Sequence, residues 1–105
     1  MTKQTSEETR VAEEIVGVMG GAVRLCSDDR DSVRFAVRGE GLALRTIVFT
    51  RAALRRLTID PIRAIKVEYL QRDILRSARR RAEYRYPRRN RIVESLRGHM
   101  AAMAV

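Results

Sequence analysis

Residues 32–49 read "SVRFAVRGEGLALRTIVF", and how this stretch folds decides the fold class. Val33, Phe35 and Val37 alternate with Arg34, Ala36 and Arg38, the period-2 pattern of a half-buried strand. Gly39-Glu40-Gly41 breaks the pattern, and "LALRTIVF" continues extended, which predicts a β-hairpin over 33–49. With a two-residue turn at Glu40-Gly41, Val37 faces Leu44, Phe35 faces Thr46 and Val33 faces Val48. That register gathers the apolar residues on one side. A three-residue turn would set Arg45 opposite Phe35, a poorer match. In the preferred register the other face presents Arg34, Arg38 and Arg45.

Outward from the hairpin, the chain signals helices. Thr50 is a good N-cap for "RAALRRL", and Asp60-Pro61 repeats the start signal, a capping acid before proline at the first helical position. A second helix therefore begins near 61. At 100° per residue, Val67, Leu70, Ile74, Leu75, Ala78 and Ala82 share one sector, opposite Arg72, Arg76, Arg79, Arg80 and Arg85. Pro87 ends this long amphipathic helix near 85, because the residue before a proline is pushed out of the α region. Ile62, Ile65 and Tyr69 fall out of phase, on the arginine side. Either the first turns contact a different neighbour or the axis bends before 67. "NRIVESL", 90–96, reads as a third strand or a short closing helix, and 97–105 as a tail.

On the N-terminal side, Thr5 and Glu8 match a capping box, and Val11, Ile15, Val18 and Met19 recur at helical spacing up to Gly20-Gly21. A helix over 6–19 follows, with Glu7, Glu13 and Glu14 on its outer face. "AVRLC", 22–26, fits a short strand, and "SDDRDS" a turn. The expected architecture is a small single α+β domain over 1–105. An acidic helical extension, 1–31, precedes an α+β core, 32–96. In that core an antiparallel hairpin, or a three-stranded sheet, packs against the long C-terminal helix.

Composition bounds what such a domain does. One hundred and five residues make one modest core. No run of 18 residues lacks charge, so a membrane span is not expected, and 45% apolar content argues against persistent disorder. The acidic N-terminus lacks an apolar signal segment, and the lone Cys26 cannot form an internal disulfide, so a cytoplasmic location is expected. Net charge is +9, with 22 basic and 13 acidic residues, 20 of the former being arginine. Residues 1–31 hold four basic and seven acidic side chains, so the positive field belongs to the remaining two-thirds. Such a field attracts polyanions, and a guanidinium presents a planar fork suited to phosphate.

Catalytic parts are missing. His99 has no adjacent acid in sequence and Cys26 no evident activating base. From Asp29, the fifth and sixth positions of a calcium loop would be Val33 and Arg34, which do not serve. One cysteine and one histidine do not make a zinc site, and "GVMGG" ends a helix instead of following a strand. A non-enzymatic binding protein without metal or cofactor is therefore expected. The candidate contacts for DNA or RNA are Arg72, Arg76, Arg79, Arg80, Arg85, Arg88, Arg89 and Arg91, with Tyr84 and Tyr86 as base stackers. Arg34, Arg38 and Arg45 form a second candidate location. The alternative function is a protein-interaction module or homodimer, its acidic first helix lying against the basic face of another copy or of its own chain.

The order of these segments resembles a small bacterial protein family of unknown function. Its members share a V-x-F hairpin, a V-S-x-E-A-L helix start and a helix ending I-x-x-I-A-R-R. Here "VRFAV", "EG", "FTRAAL" and "ILRSARRR" match, with Val33, Phe35, Gly41, Thr50, Ala53, Leu54, Ile74, Ala78, Arg79 and Arg80 in the shared positions. Ala52 stands where the family carries an acid. The resemblance implies an α+β fold with hairpin and helices, and no activity.

Overall fold

Ser6, and not Thr5, caps the first helix: its Oγ accepts from the Thr9 N–H at 3.2 Å. In the computed structural model, which describes residues 6–88, α1 spans Glu7–Val16 and runs through a 3-10 segment, Gly17–Ala22, into β1, Val23–Asp28. Gly20, at φ 64°, turns the chain between them. Next come β2, Ser32–Val37, and β3, Thr46–Thr50, followed directly by α2, Arg51–Thr58. Thr50 caps α2 as expected, its Oγ1 accepting from the Ala53 N–H at 3.2 Å. The chain closes with α3, Arg63–Ser77, and β4, Glu83–Tyr86.

The four strands form one mixed sheet in the order β1-β2-β3-β4, antiparallel except for the β3/β4 pair. The fold is α+β, with the hairpin and both helical signals in place, but the sheet gains a strand at each side of the hairpin. β1 adds to β2 with a bulge at Cys26, between Leu25 and Ser27. β4 adds to β3 from the far side of α3. The predicted strand at 90–96 lies outside the described residues.

Two expectations are corrected. The chain turns at Glu40-Gly41 as expected, the Leu42 N–H donating to the Gly39 carbonyl at 3.3 Å and Gly41 lying at φ 77°, but Phe35 does not face Thr46. Val33 pairs with Phe49 and Phe35 with Ile47, one residue along from the expected register. Residues 38–45 form a loop whose backbone bonds to other elements. The shift places Ile47 and Phe49 beside Phe35 on the core side, where they bury more apolar surface than Thr46 and Val48 would. Val48 is nonetheless only 4% exposed. On the opposite face it sits in register between Arg34 and Arg85, whose aliphatic stems flank it.

The long helix does not continue to 85. α3 ends at Ser77, and Arg80 and Arg81 both donate their N–H groups to the Ser77 carbonyl at 3.0 Å. Local propensity over "ARRRAE" favours helix, but the Ala78 carbonyl is taken by the Ala43 and Leu44 N–H groups at 2.9 and 3.0 Å. Glu83–Tyr86 thereby reaches the β3 edge, where alternation suits a strand: Tyr84 points in, Glu83 and Arg85 point out.

All three helices cover one face of the sheet. Val11, Ala12, Ile15 and Val16 of α1 join Val33, Phe35, Ile47, Phe49, Leu54, Leu57, Val67, Leu70, Ile74 and Tyr84 in a single buried cluster. Residues 6–31 are thus no appendage, since α1 completes the helical layer and β1 an edge of the sheet. The apolar stripe of α1 is consumed inside its own chain, so it is not available to pair with a second copy. Arg51, its side chain 14% exposed, ties the layers at one end. It bonds to Asp28, the Asp29 carbonyl, Ser6 Oγ and Thr9 Oγ1, linking α2 to the start of α1 and the β1–β2 turn. Asp29 Oδ1 accepts from the Ser32 and Asp31 N–H groups at 3.1 Å, which holds its carboxyl below the usual carboxylate range and sets that turn.

Candidate nucleic-acid interface

The structure disperses the arginines that sequence placed on one helical face. Arg72 and Arg76 are exposed on α3, and Arg72 Nη2 donates to Glu68 Oε1 at 2.7 Å. Arg79 and Arg80, with Arg81, occupy the turn beyond α3. Arg85 lies on the outer face of β4, its Nε 3.2 Å from Glu83 Oε1. Arg88 serves the fold: its guanidinium stands 3.6 Å from Asp73 Oδ2, 3.4 Å from Ser77 Oγ and 5.9 Å above the Tyr84 ring. Arg89 and Arg91 lie outside the described residues.

Tyr84 does not offer a free face for stacking. Tyr84 is 2% exposed, and its hydroxyl donates to Asp73 Oδ2 at 2.9 Å. Burial, and then the hydrogen bond to Asp73, push its pKa well above the usual tyrosine value. Tyr86 is half-buried and meets Phe49 edge-on at 6.3 Å between ring centres. Phe35, Phe49, Tyr84 and Tyr86 all share the helix-covered side of the sheet, by register and strand alternation. The outer face carries Arg24, Ala36, Thr46 and Glu83 in one row and Arg34, Val48 and Arg85 in the next.

A different cluster is assembled by backbone bonds. The Ala78 carbonyl holds Ala43 and Leu44, and the Ala82 carbonyl holds the N–H groups of Arg45 and Thr46 at 2.8 and 3.3 Å. These four bonds fasten the 78–82 turn to the 38–45 loop. Arg38 enters the same end of the sheet, its N–H donating to the Ala22 carbonyl at 2.8 Å. Arg38, Arg45, Arg79, Arg80 and Arg81 are all exposed there. Among the described residues none of the five is in an ion pair, although Arg51, Arg55, Arg63, Lys66, Arg72, Arg85 and Arg88 all are. Glu40 is the one acid in either segment. Five exposed cations against one acid at this end of the sheet leave a positive field in solvent.

The acidic helix does not neutralise it. Glu7 pairs with Arg63 at 3.2 Å and Glu8 with Arg55 at 3.6 Å, so these carboxylates of α1 are spent on the last turn of α2 and the start of α3. Sequence reasoning named Arg79 and Arg80 in one candidate set and Arg38 and Arg45 in another, and omitted Arg81. Nothing in local spacing joins the two sets; the Ala78 and Ala82 carbonyls do. Of the catalytic residue types considered above, Cys26 is exposed on β1 and His99 is outside the described residues. No family model, curated protein or solved structure matches the chain. Among the described residues no helix is long and apolar enough to cross a membrane.

Proposed function

We infer that the protein acts by binding nucleic acid through its phosphates, in the cytoplasm and without catalysis. The observation that carries this is the arginine tip, Arg38, Arg45, Arg79, Arg80 and Arg81, which is exposed and has no ion-pair partner among the described residues. An arginine left unpaired by its own fold is free to exchange counterions for phosphate oxygens, which is where non-specific affinity originates. Arg34 and Arg85, in register on the outer face, extend the same field along the sheet. Phosphate contacts set position and carry no sequence information, and the aromatic rings of the strands lie on the covered side, so the contacts are to the backbone and not to bases.

The test is affinity across a salt series. Five phosphates neutralised on a duplex give log K against log salt a slope of about −4.5, and on a single strand about −3.5. A flat salt response, or no binding to duplex, single strand or heparin at about 50 mM salt, overturns the proposal.

A further inference from the structure

Ile65 and Tyr69 of α3 are each 67% exposed, and Ile62, the residue that precedes the helix, is 50% exposed. At 100° per residue they centre about 140° away from the buried Val67, Leu70 and Ile74, so most of this apolar surface faces away from the core. The helix carries two apolar sectors, and the described chain covers one of them. Ile62, Ile65, Tyr69, Arg72 and Arg76 follow one another at intervals of three, four, three and four residues. That is the spacing of a seam along which one helix packs on another. Its first half is apolar and its second half basic. Beside it Ile65, Lys66, Tyr69, Leu70 and Tyr86 line a shallow, open cleft of 380 Å³.

We propose that this stripe docks an amphipathic helix of a partner protein, whose apolar residues meet Ile62, Ile65 and Tyr69 and whose acidic residues meet Arg72 and Arg76. Charge assigns the occupant. A second copy brings the same stripe: pairing in parallel sets arginines against arginines, and pairing full-length in antiparallel sets isoleucines against arginines. Only a seam that passes from apolar to acidic satisfies both halves. The Glu68–Arg72 pair is no obstacle, since both side chains are largely exposed and such a pair is readily exchanged for a partner's carboxylate. The arginine tip and the apolar half of this stripe are built from different residues, so protein docking and phosphate binding are not alternatives.

The experiment uses the full chain and a labelled synthetic helix of about three heptads, with leucine at three consecutive seam positions and glutamate at the next two. Fluorescence anisotropy is read for this helix, for a twin with lysine in place of glutamate, and for a twin with serine in place of leucine. Binding of the first, weakened at least tenfold in both twins and in Ile65→Asp or Tyr69→Asp, is the expected result. Both residues are exposed, so circular dichroism of the variants stays that of the wild type and duplex binding is unaffected. Equal binding of the glutamate and lysine helices, or no binding of either, overturns the proposal. So does self-association that Ile65→Asp abolishes, which gives the stripe to a second copy. Resistance of Tyr69 to a tyrosine-acylating reagent in the free monomer gives it to the chain's own remaining residues and likewise overturns it.

Discussion

Tyr84 and Asp73 join β4 to α3 through a 2.9 Å hydrogen bond from the buried phenol to Asp73 Oδ2, and Arg88 closes over both. This triad holds the strand that sequence periodicity assigned to a helix. Tyr84→Phe keeps the ring in the core but leaves Asp73 without its hydroxyl donor, at a cost of about 1 to 2 kcal/mol. Thermal unfolding of the variant is expected to fall by several degrees with circular dichroism unchanged below the transition.

The same phenol makes stability depend on alkaline pH. Its folded pKa is raised above the unfolded value, so the stabilisation is complete below about pH 10, the unfolded tyrosine value, and is lost as pH rises beyond it. Unfolding free energy measured between about pH 8 and 11 should decline at the upper end in the wild type. Tyr84→Phe should decline less over that interval.

Arg51 is the corresponding lock at the other end, with partners on α1, on β1 and in the turn that follows it. Arg51→Met preserves the stem and removes the donors, leaving Thr9 Oγ1 and Asp28 in a partly buried site. A loss of about 1.5 to 3 kcal/mol is expected in urea unfolding, with the slope unchanged.

Ile15 decides whether α1 belongs to the core or to a partner. It is fully buried among residues of all layers. Ile15→Ala should cost about 2 to 5 kcal/mol at any protein concentration. Stability that instead falls with dilution in the wild type and not in the variant would return α1 to an intermolecular role.

The elements that sequence reveals are those whose causes are local. The Thr50 cap, the alternation of Val33, Phe35 and Val37, and the stripe of Val67, Leu70 and Ile74 all depend on neighbours within one turn or one strand. The end of α3 does not: Ala78 stops propagating the helix because Ala43 and Leu44, more than thirty residues earlier, take its carbonyl. Hairpin register was hidden for a related reason: the turn falls at Glu40-Gly41 as expected, but Ala43, Leu44 and Arg45 are held by the Ala78 and Ala82 carbonyls, and the strands pair one residue along. The site followed the fold. Arg79 and Arg80 are exposed as expected, but on a turn and not on a helical face, their company, Arg38 and Arg45, comes from tertiary hydrogen bonds, and Tyr84 left the candidate set when its strand turned inward.

The central claim rests on the tip, and charge reversal there tests it most directly. Binding to a duplex of about 20 base pairs is measured from about 50 to 200 mM salt for the wild type, for Arg79→Glu/Arg80→Glu/Arg81→Glu, and for Arg72→Glu/Arg76→Glu. The account predicts that the tip variant loses most of its affinity and that its log–log slope shrinks by about 2.7, three phosphates' worth, while the α3 variant keeps a slope near that of the wild type. A tip variant that binds as the wild type does, with the same slope, would contradict it.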